Sequence, residues 1–136
     1  MIQIIYGKKG SGKTKRILDM ANQMTETRGG DVVFIDDDNS YMFDLRHEVR
    51  FVNAGEYNMR NSDMFYGFLS GMLAQNFDVK VILIDAFLKL TKSDVNEMGW
   101  FFERLNAVST DRDIDFILSV SLDAENIPEF MKPYLI

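Results

Sequence analysis

At 136 residues and a net charge of −6, the chain reads as one domain over residues 1–136. That is long enough for a substantial core and too short for a second, substrate-binding domain beside it. Apolar residues make up 46%, as in an ordinary soluble globule, which excludes a disordered chain; no apolar run approaches a membrane span, and no signal-peptide pattern opens the sequence. The absence of cysteine removes a disulfide framework and a thiolate zinc site and suits a reducing cytoplasm, while the acidic balance argues against nucleic acid as a partner.

The expected elements alternate. An apolar run, Ile2 to Tyr6, reads as a strand, and Gly7-Lys8-Lys9-Gly10-Ser11-Gly12-Lys13-Thr14 follows it directly. This octapeptide fits G-x-x-x-x-G-K-S/T at every fixed position, the pattern of a phosphate-cradling loop. Its glycines tolerate positive φ and leave room for phosphate oxygens. The helix expected from Thr14 to Arg28 adds free N–H groups and the positive end of its dipole. Ile17, Leu18, Met20, Ala21 and Met24 form its inward stripe, and Gly29-Gly30 ends it. Lys13 is placed to reach the β- and γ-phosphates and Thr14 to ligate Mg²⁺. Lys8, Lys9, Lys13, Lys15 and Arg16 give an acidic protein a local basic mouth, suited to a small anionic ligand.

Val32 to Asp36 is the second strand and is followed by Asp37 and Asp38. A short helix is expected over Ser40 to Arg46, with His47 on the surface beside it. Glu48 to Asn53 is a third strand, and a loop to Asp63 carries Arg60. The next helix shows Met64, Phe65, Phe68, Leu69, Met72 and Leu73 on one side. Lys80 to Asp85 is a strand, and the last long helix carries Val95, Met98, Phe101, Phe102, Leu105 and Val108, capped by Ser93 or Asp94 with Glu97 as a capping-box partner. Trp100 in that helix reads as packing, and Arg60 and Arg112 as solvated charges rather than arginine fingers. Phe116 to Ser121 is the final strand. Such alternation predicts an α/β three-layer sandwich around a mostly parallel sheet, with ligands beyond the C-terminal ends of the strands.

A phosphate loop needs a carboxylate near Mg²⁺, and Val81-Ile82-Leu83-Ile84-Asp85 is a hydrophobic strand ending in one; Asp85 is therefore the expected second metal ligand, in the Walker B position. Together the loop and this strand resemble the P-loop NTPases. The division with a RecA-like strand order inserts a strand between the phosphate-loop strand and the Walker B strand. Phe116-Ile117-Leu118-Ser119-Val120-Ser121 looks like that strand, and the resemblance implies that Ser119 or Ser121 faces the γ-phosphate. The order of elements is also similar to the core of bacterial-type thymidine kinases, but their cysteine zinc module and nucleoside-binding lasso have no counterpart here. Pilus-retraction and secretion motor ATPases share the G-S-G-K-S/T loop, and their histidine-containing motifs are not visible.

The resemblance implies ATP and Mg²⁺ as ligands. Thr91-Lys92-Ser93-Asp94 matches the N/T-K-x-D guanine-reading motif but follows Asp85 too soon, and Asp85-Ala86-Phe87-Leu88 lacks the D-x-x-G glycine of GTPases, so ATP is expected over GTP. Many members of the division place Glu directly after the Walker B Asp, where this chain has Ala86. The water-orienting carboxylate is then sought in Asp36, Asp37 and Asp38 at the end of a neighbouring strand, with Glu125 a weaker candidate. The expectation is a slow or partner-stimulated ATPase, with a homo-oligomer or another protein as partner. The alternatives are a non-catalytic nucleotide-dependent sensor or assembly module and a small-molecule, nucleoside-type kinase.

Overall fold

Five strands, all parallel, form one sheet in the order β1-β5-β4-β2-β3 in a computed structural model that describes residues Met1–Ile136. They are β1 (Ile2–Gly7), β2 (Asp31–Asp36), β3 (Arg50–Asn53), β4 (Val79–Ile84) and β5 (Asp115–Ser121). The helices are α1 (Lys13–Thr27), α2 (Ser62–Gln75), α3 (Phe87–Thr91) and α4 (Gly99–Arg112). The final strand in sequence, β5, lies between the phosphate-loop strand β1 and β4, as the RecA-like order requires.

The near-continuous apolar composition of the strands follows from burial on both faces. Val81 and Leu83 of β4 point into a core shared with Ile17, Leu18 and Ala21 of α1, whereas Ile82 and Ile84 point into a larger core with α2, α3 and α4. That second core is aromatic. Phe65, Phe87, Phe101 and Phe102 meet in edge-on and stacked pairs, the tightest being Phe87 with Phe101 at 5.4 Å between centroids, a geometry that suits the ring quadrupoles. At the outer edge of β1 the chain end closes the sheet: Leu135 bridges Ile4 in parallel, and the Ile136 N–H donates to the Ile4 carbonyl. No helix is long and apolar enough to cross a membrane.

Three expectations are corrected. Residues 40–46 do not form a helix; only a three-residue 3-10 turn, Met42–Asp44, is present. Asn22 on α1 captures the segment, donating to the Asp44 carbonyl and accepting from the Arg46 N–H, which satisfies backbone groups that a helix would have used. The helix expected from Val95 is broken: Val95–Glu97 is a 3-10 turn and α4 starts at Gly99. Asp94 caps the turn by accepting from the Asn96 N–H, while Ser93 Oγ accepts from the N–H of Ser62, so neither caps α4. On α2, Phe65, Leu69 and Leu73 are buried, Phe68 and Met72 flank them half-buried, and Met64 is exposed.

Candidate functional site

The β1–α1 connection is built by backbone conformation. Gly10 and Gly12 have φ of +85° and +90°, which β-carbon-bearing residues adopt only under strain. A Cβ at either would meet nothing within 4 Å, so the glycines serve conformation rather than packing. The Ser11 N–H donates to the Lys8 carbonyl at 3.1 Å, folding the loop into a turn. No side chain caps α1 at Gly12, which leaves the amides of its first turn for an anion. The Lys13 ammonium lies back on the loop and donates to the Lys8 carbonyl at 2.8 Å. Its pKa is lowered by burial, with the charge of Asp85 acting in the opposite sense.

Strand register assembles the rest. Ile84 of β4 pairs with Leu118 of β5 on one side and with Ile35 of β2 on the other. One residue further along each strand stand Ser119, Asp85 and Asp36, abreast at the C-terminal edge of the sheet. Asp85 is buried and fully engaged: its Oδ2 accepts from Thr14 Oγ1 at 3.0 Å, and its Oδ1 accepts from Ser119 Oγ. The Ala86 N–H donates to the same Ser119 Oγ at 3.1 Å. Ala86 itself sits in the left-handed region, φ +54°, a strained conformation of the kind found at functional turns.

Asp36 is 2% exposed. Its Oδ1 accepts from the Asp37 N–H at 2.8 Å, and its Oδ2 has no partner. Burial, reinforced by the Asp37 side chain and the negative charge of Asp85, pushes its pKa up to about 8. Asp37 is half-buried with its carboxylate 4.0 Å from the Lys89 ammonium. Asp38 is exposed, and its carboxyl is held below the usual range by the Ser40 N–H, which donates to it at 2.8 Å. Oxygens of the three carboxylates lie within 4.8 Å of one another.

These groups surround a cleft of about 650 Å³. Lys9, Gly10, Gly12, Lys13 and Thr14 form one wall; Asp36, Asp85 and Ser119 lie at the strand ends; Asp37, Asp38, Tyr41, Leu88 and Lys89 form the far side. The donors in reach are a hydroxyl and carboxylates, with no nitrogen or sulfur ligand, a set that fits a hard divalent cation such as Mg²⁺. Asp36 Oδ2 is a further free oxygen beside it.

Other residues singled out in the sequence stand elsewhere. Lys15 is exposed and pairs with Asp19 at 2.9 Å, and Gly7, Lys8 and Ser11 belong to the same loop without lining the cleft. Glu125 is exposed in the 3-10 turn Ala124–Asn126. Arg112 donates to the carbonyls of Leu73 and Asn76 and covers the Phe77 ring, so it anchors the end of α2. Trp100 packs on Tyr66 and Phe101. His47 is a surface residue paired with Glu48. Sequence reasoning missed Tyr41, Leu88 and Lys89 on the cleft wall. Lys89 sits on α3, whose single turn is signalled only by the spacing of Phe87, Leu90 and Thr91, all buried.

A glycine loop joining β1 to α1, with β5 inserted between β1 and β4, defines the RecA-like P-loop fold. Among solved structures the chain is similar to the flagellar accessory protein FlaH from Methanocaldococcus jannaschii, with a TM-score of 0.57 and 16% identity. The match covers 94% of this chain and 63% of that one, so the chain spans less than two thirds of that protein's length. The likeness is one of fold. No protein-family model and no curated protein matches the chain.

Proposed function

We propose that the chain binds ATP with Mg²⁺ in this cleft and hydrolyses it slowly, or on stimulation by a protein partner or a second copy of itself. The observation that carries this reading is the linked set Thr14–Asp85–Ser119 at the mouth of the glycine loop. The loop amides wrap the phosphates, and Lys13 exchanges the Lys8 carbonyl for phosphate oxygens. Thr14 and Asp85 would hold Mg²⁺, which when bound offsets the negative charge of the phosphates. Asp36, Asp37 and Asp38, which line the cleft at the end of β2, are the carboxylates in reach to orient a water. Ser93 and Asp94 are committed to backbone hydrogen bonds, which supports ATP over GTP.

Mg²⁺-dependent phosphate release by the purified protein tests the reading, with Lys13→Ala and Asp85→Ala as controls. Release that is absent with ATP bound, in every oligomeric state and with every partner tried, overturns the hydrolytic half. Ala86 favours a second reading, a nucleotide-dependent assembly module, because a methyl group stands where other RecA-like proteins carry Glu. That reading expects tight ATP binding without turnover and a change in oligomer size; identical size with and without ATP removes it.

A further inference from the structure

A second cavity, of about 360 Å³, opens on the other side of Asp37. It lies between the 3-10 turn Ala54–Tyr57, with the residues just after it, and the C-terminal end of α3. Asp37 and Lys89 line both cavities. Gly55 packs directly on the Asp37 backbone, since a Cβ there would sit 2.1 Å from the Asp37 carbonyl oxygen.

The lining has two characters. Met59 and Leu90 are buried and give it an apolar floor. Lys89, Lys92 and Asn58 give it a polar, cationic side. Lys92 forms no ion pair, whereas Lys89 stands 4.0 Å from the Asp37 carboxylate and close enough to Asp38 to help hold its pKa down. Lys92 therefore brings to this space a positive charge with no ion-pair partner, and Lys89 one that it shares with the acidic residues after β2. Asn58 and Lys92 are both left-handed, with φ of +56° and +48°, because each ends a helical turn, and those two turn ends frame the cavity mouth. A volume of this size is at the small end of ligand pockets, which combine apolar lining with a few placed polar groups.

We infer that this cavity binds a small organic anion, a carboxylate or phosphate ester on an apolar body, seated behind the far wall of the first cleft with Asp37 between them. The apolar body rests on Met59 and Leu90, and the anionic group meets the unpaired charge of Lys92, with Lys89 turning to it from Asp37. The second ligand is thus the chemical class expected of a co-substrate or effector, and its binding does not depend on the nucleotide reading of the first cleft.

Amide NMR titration of the nucleotide-free protein tests this, with phenyl phosphate and benzoate as probes, benzyl alcohol as the neutral counterpart and inorganic phosphate as the bare anion. The aromatic anions are expected to shift the amides of Gly55, Asn58 and Met59, and the stronger of the two identifies the preferred head group. Loss of one charge-assisted contact in Lys92→Asn, a residue that tolerates the left-handed region, is expected to weaken binding about tenfold. Lys13→Ala leaves it unchanged. Lys92→Gly removes the same charge with the backbone relaxed and replaces the Asn variant if that one does not fold. Shifts confined to Gly7–Thr14, equal binding of benzyl alcohol, or unchanged affinity in the Lys92 variant each overturn the inference. A separate ATP titration reports on Gly7–Thr14, so failure there removes the nucleotide reading and leaves this one standing.

Discussion

Replacing Asp36 by Asn should change how stability depends on pH more than any other single substitution in this protein. Asp36 rises from an ordinary value of 3.8 to about 8 in the folded state. Every tenfold gain in proton affinity on folding corresponds to about 1.4 kcal/mol, so the full swing is about 6 kcal/mol. The folded-state pKa is the higher one. The stabilisation is therefore complete below the unfolded value of 3.8 and is lost as pH rises through 8. Between those values folding weakens by about 1.4 kcal/mol per pH unit from this group alone. A swing of that size rivals the whole stability of a small domain, about 5–15 kcal/mol.

Asn has the same shape, keeps an acceptor for the Asp37 N–H and does not titrate. At about pH 3 the variant and the parent should differ little, at about pH 5 the variant should already lead by about 1–2 kcal/mol, and at about pH 9 by several kcal/mol. Urea unfolding without nucleotide or metal, repeated across that range, measures the difference directly. Asp85→Asn supplies a control: burial is the largest cause of the raised pKa and Asp85 a lesser one, so it should remove only a minor part of the slope. Parallel stability curves for Asp36→Asn and its parent from about pH 5 to about pH 9 would refute the reasoning, because they would mean that Asp36 is ionised in the fold at neutral pH.

Gly55→Ala forces a methyl group to 2.1 Å from the Asp37 carbonyl and should cost about 1–3 kcal/mol by overpacking; a neutral result in urea unfolding would contradict the close approach. Ala86→Gly relieves a left-handed alanine, and should gain about 0.5–1 kcal/mol once the greater freedom of glycine in the unfolded chain is subtracted. A loss of stability there would mean that the alanine methyl packs in a way that outweighs the strain. Phe101→Ala empties the centre of the ring cluster formed with Phe65, Phe87 and Phe102 and should cost about 3–5 kcal/mol, seen as a lower urea midpoint at unchanged slope.

The inner strands were legible because burial on both faces makes them near-continuous apolar runs, as Val81 to Ile84 is. The glycine loop was legible because its geometry is local, each left-handed glycine needing only its own φ. What failed is equally physical. Tyr41, Met42 and Leu45 have helical spacing, but Asn22 on α1 takes the backbone groups of that segment, and Phe43 is left 91% exposed. Val95 and Met98 continue the phase of α4 through a break, so periodicity alone joined two elements that the chain separates at Gly99. Helix α3 has five residues, too few for a 3.6-residue period to show, and with it Lys89 and Leu88 escaped notice.

The position after Asp85 illustrates why a site cannot be judged one residue at a time. In the sequence, Ala86 marks a missing acid. In the fold its N–H holds Ser119 Oγ, which in turn binds Asp85, so the backbone at this position orders the carboxylate before it. An acid is nonetheless present at the same height, one strand away. The Asp85 N–H donates to the Ile35 carbonyl, and this contact fixes Asp36 and its two acidic neighbours alongside Asp85. The carboxylates of this chain that line the cleft besides Asp85 thus stand at the end of β2, where Asp36 is buried and Asp37 stands between the cleft and the second cavity. Asp37 is thus the residue through which an anion in the second cavity could act on the first, by drawing Lys89 away from a carboxylate already 4.0 Å distant.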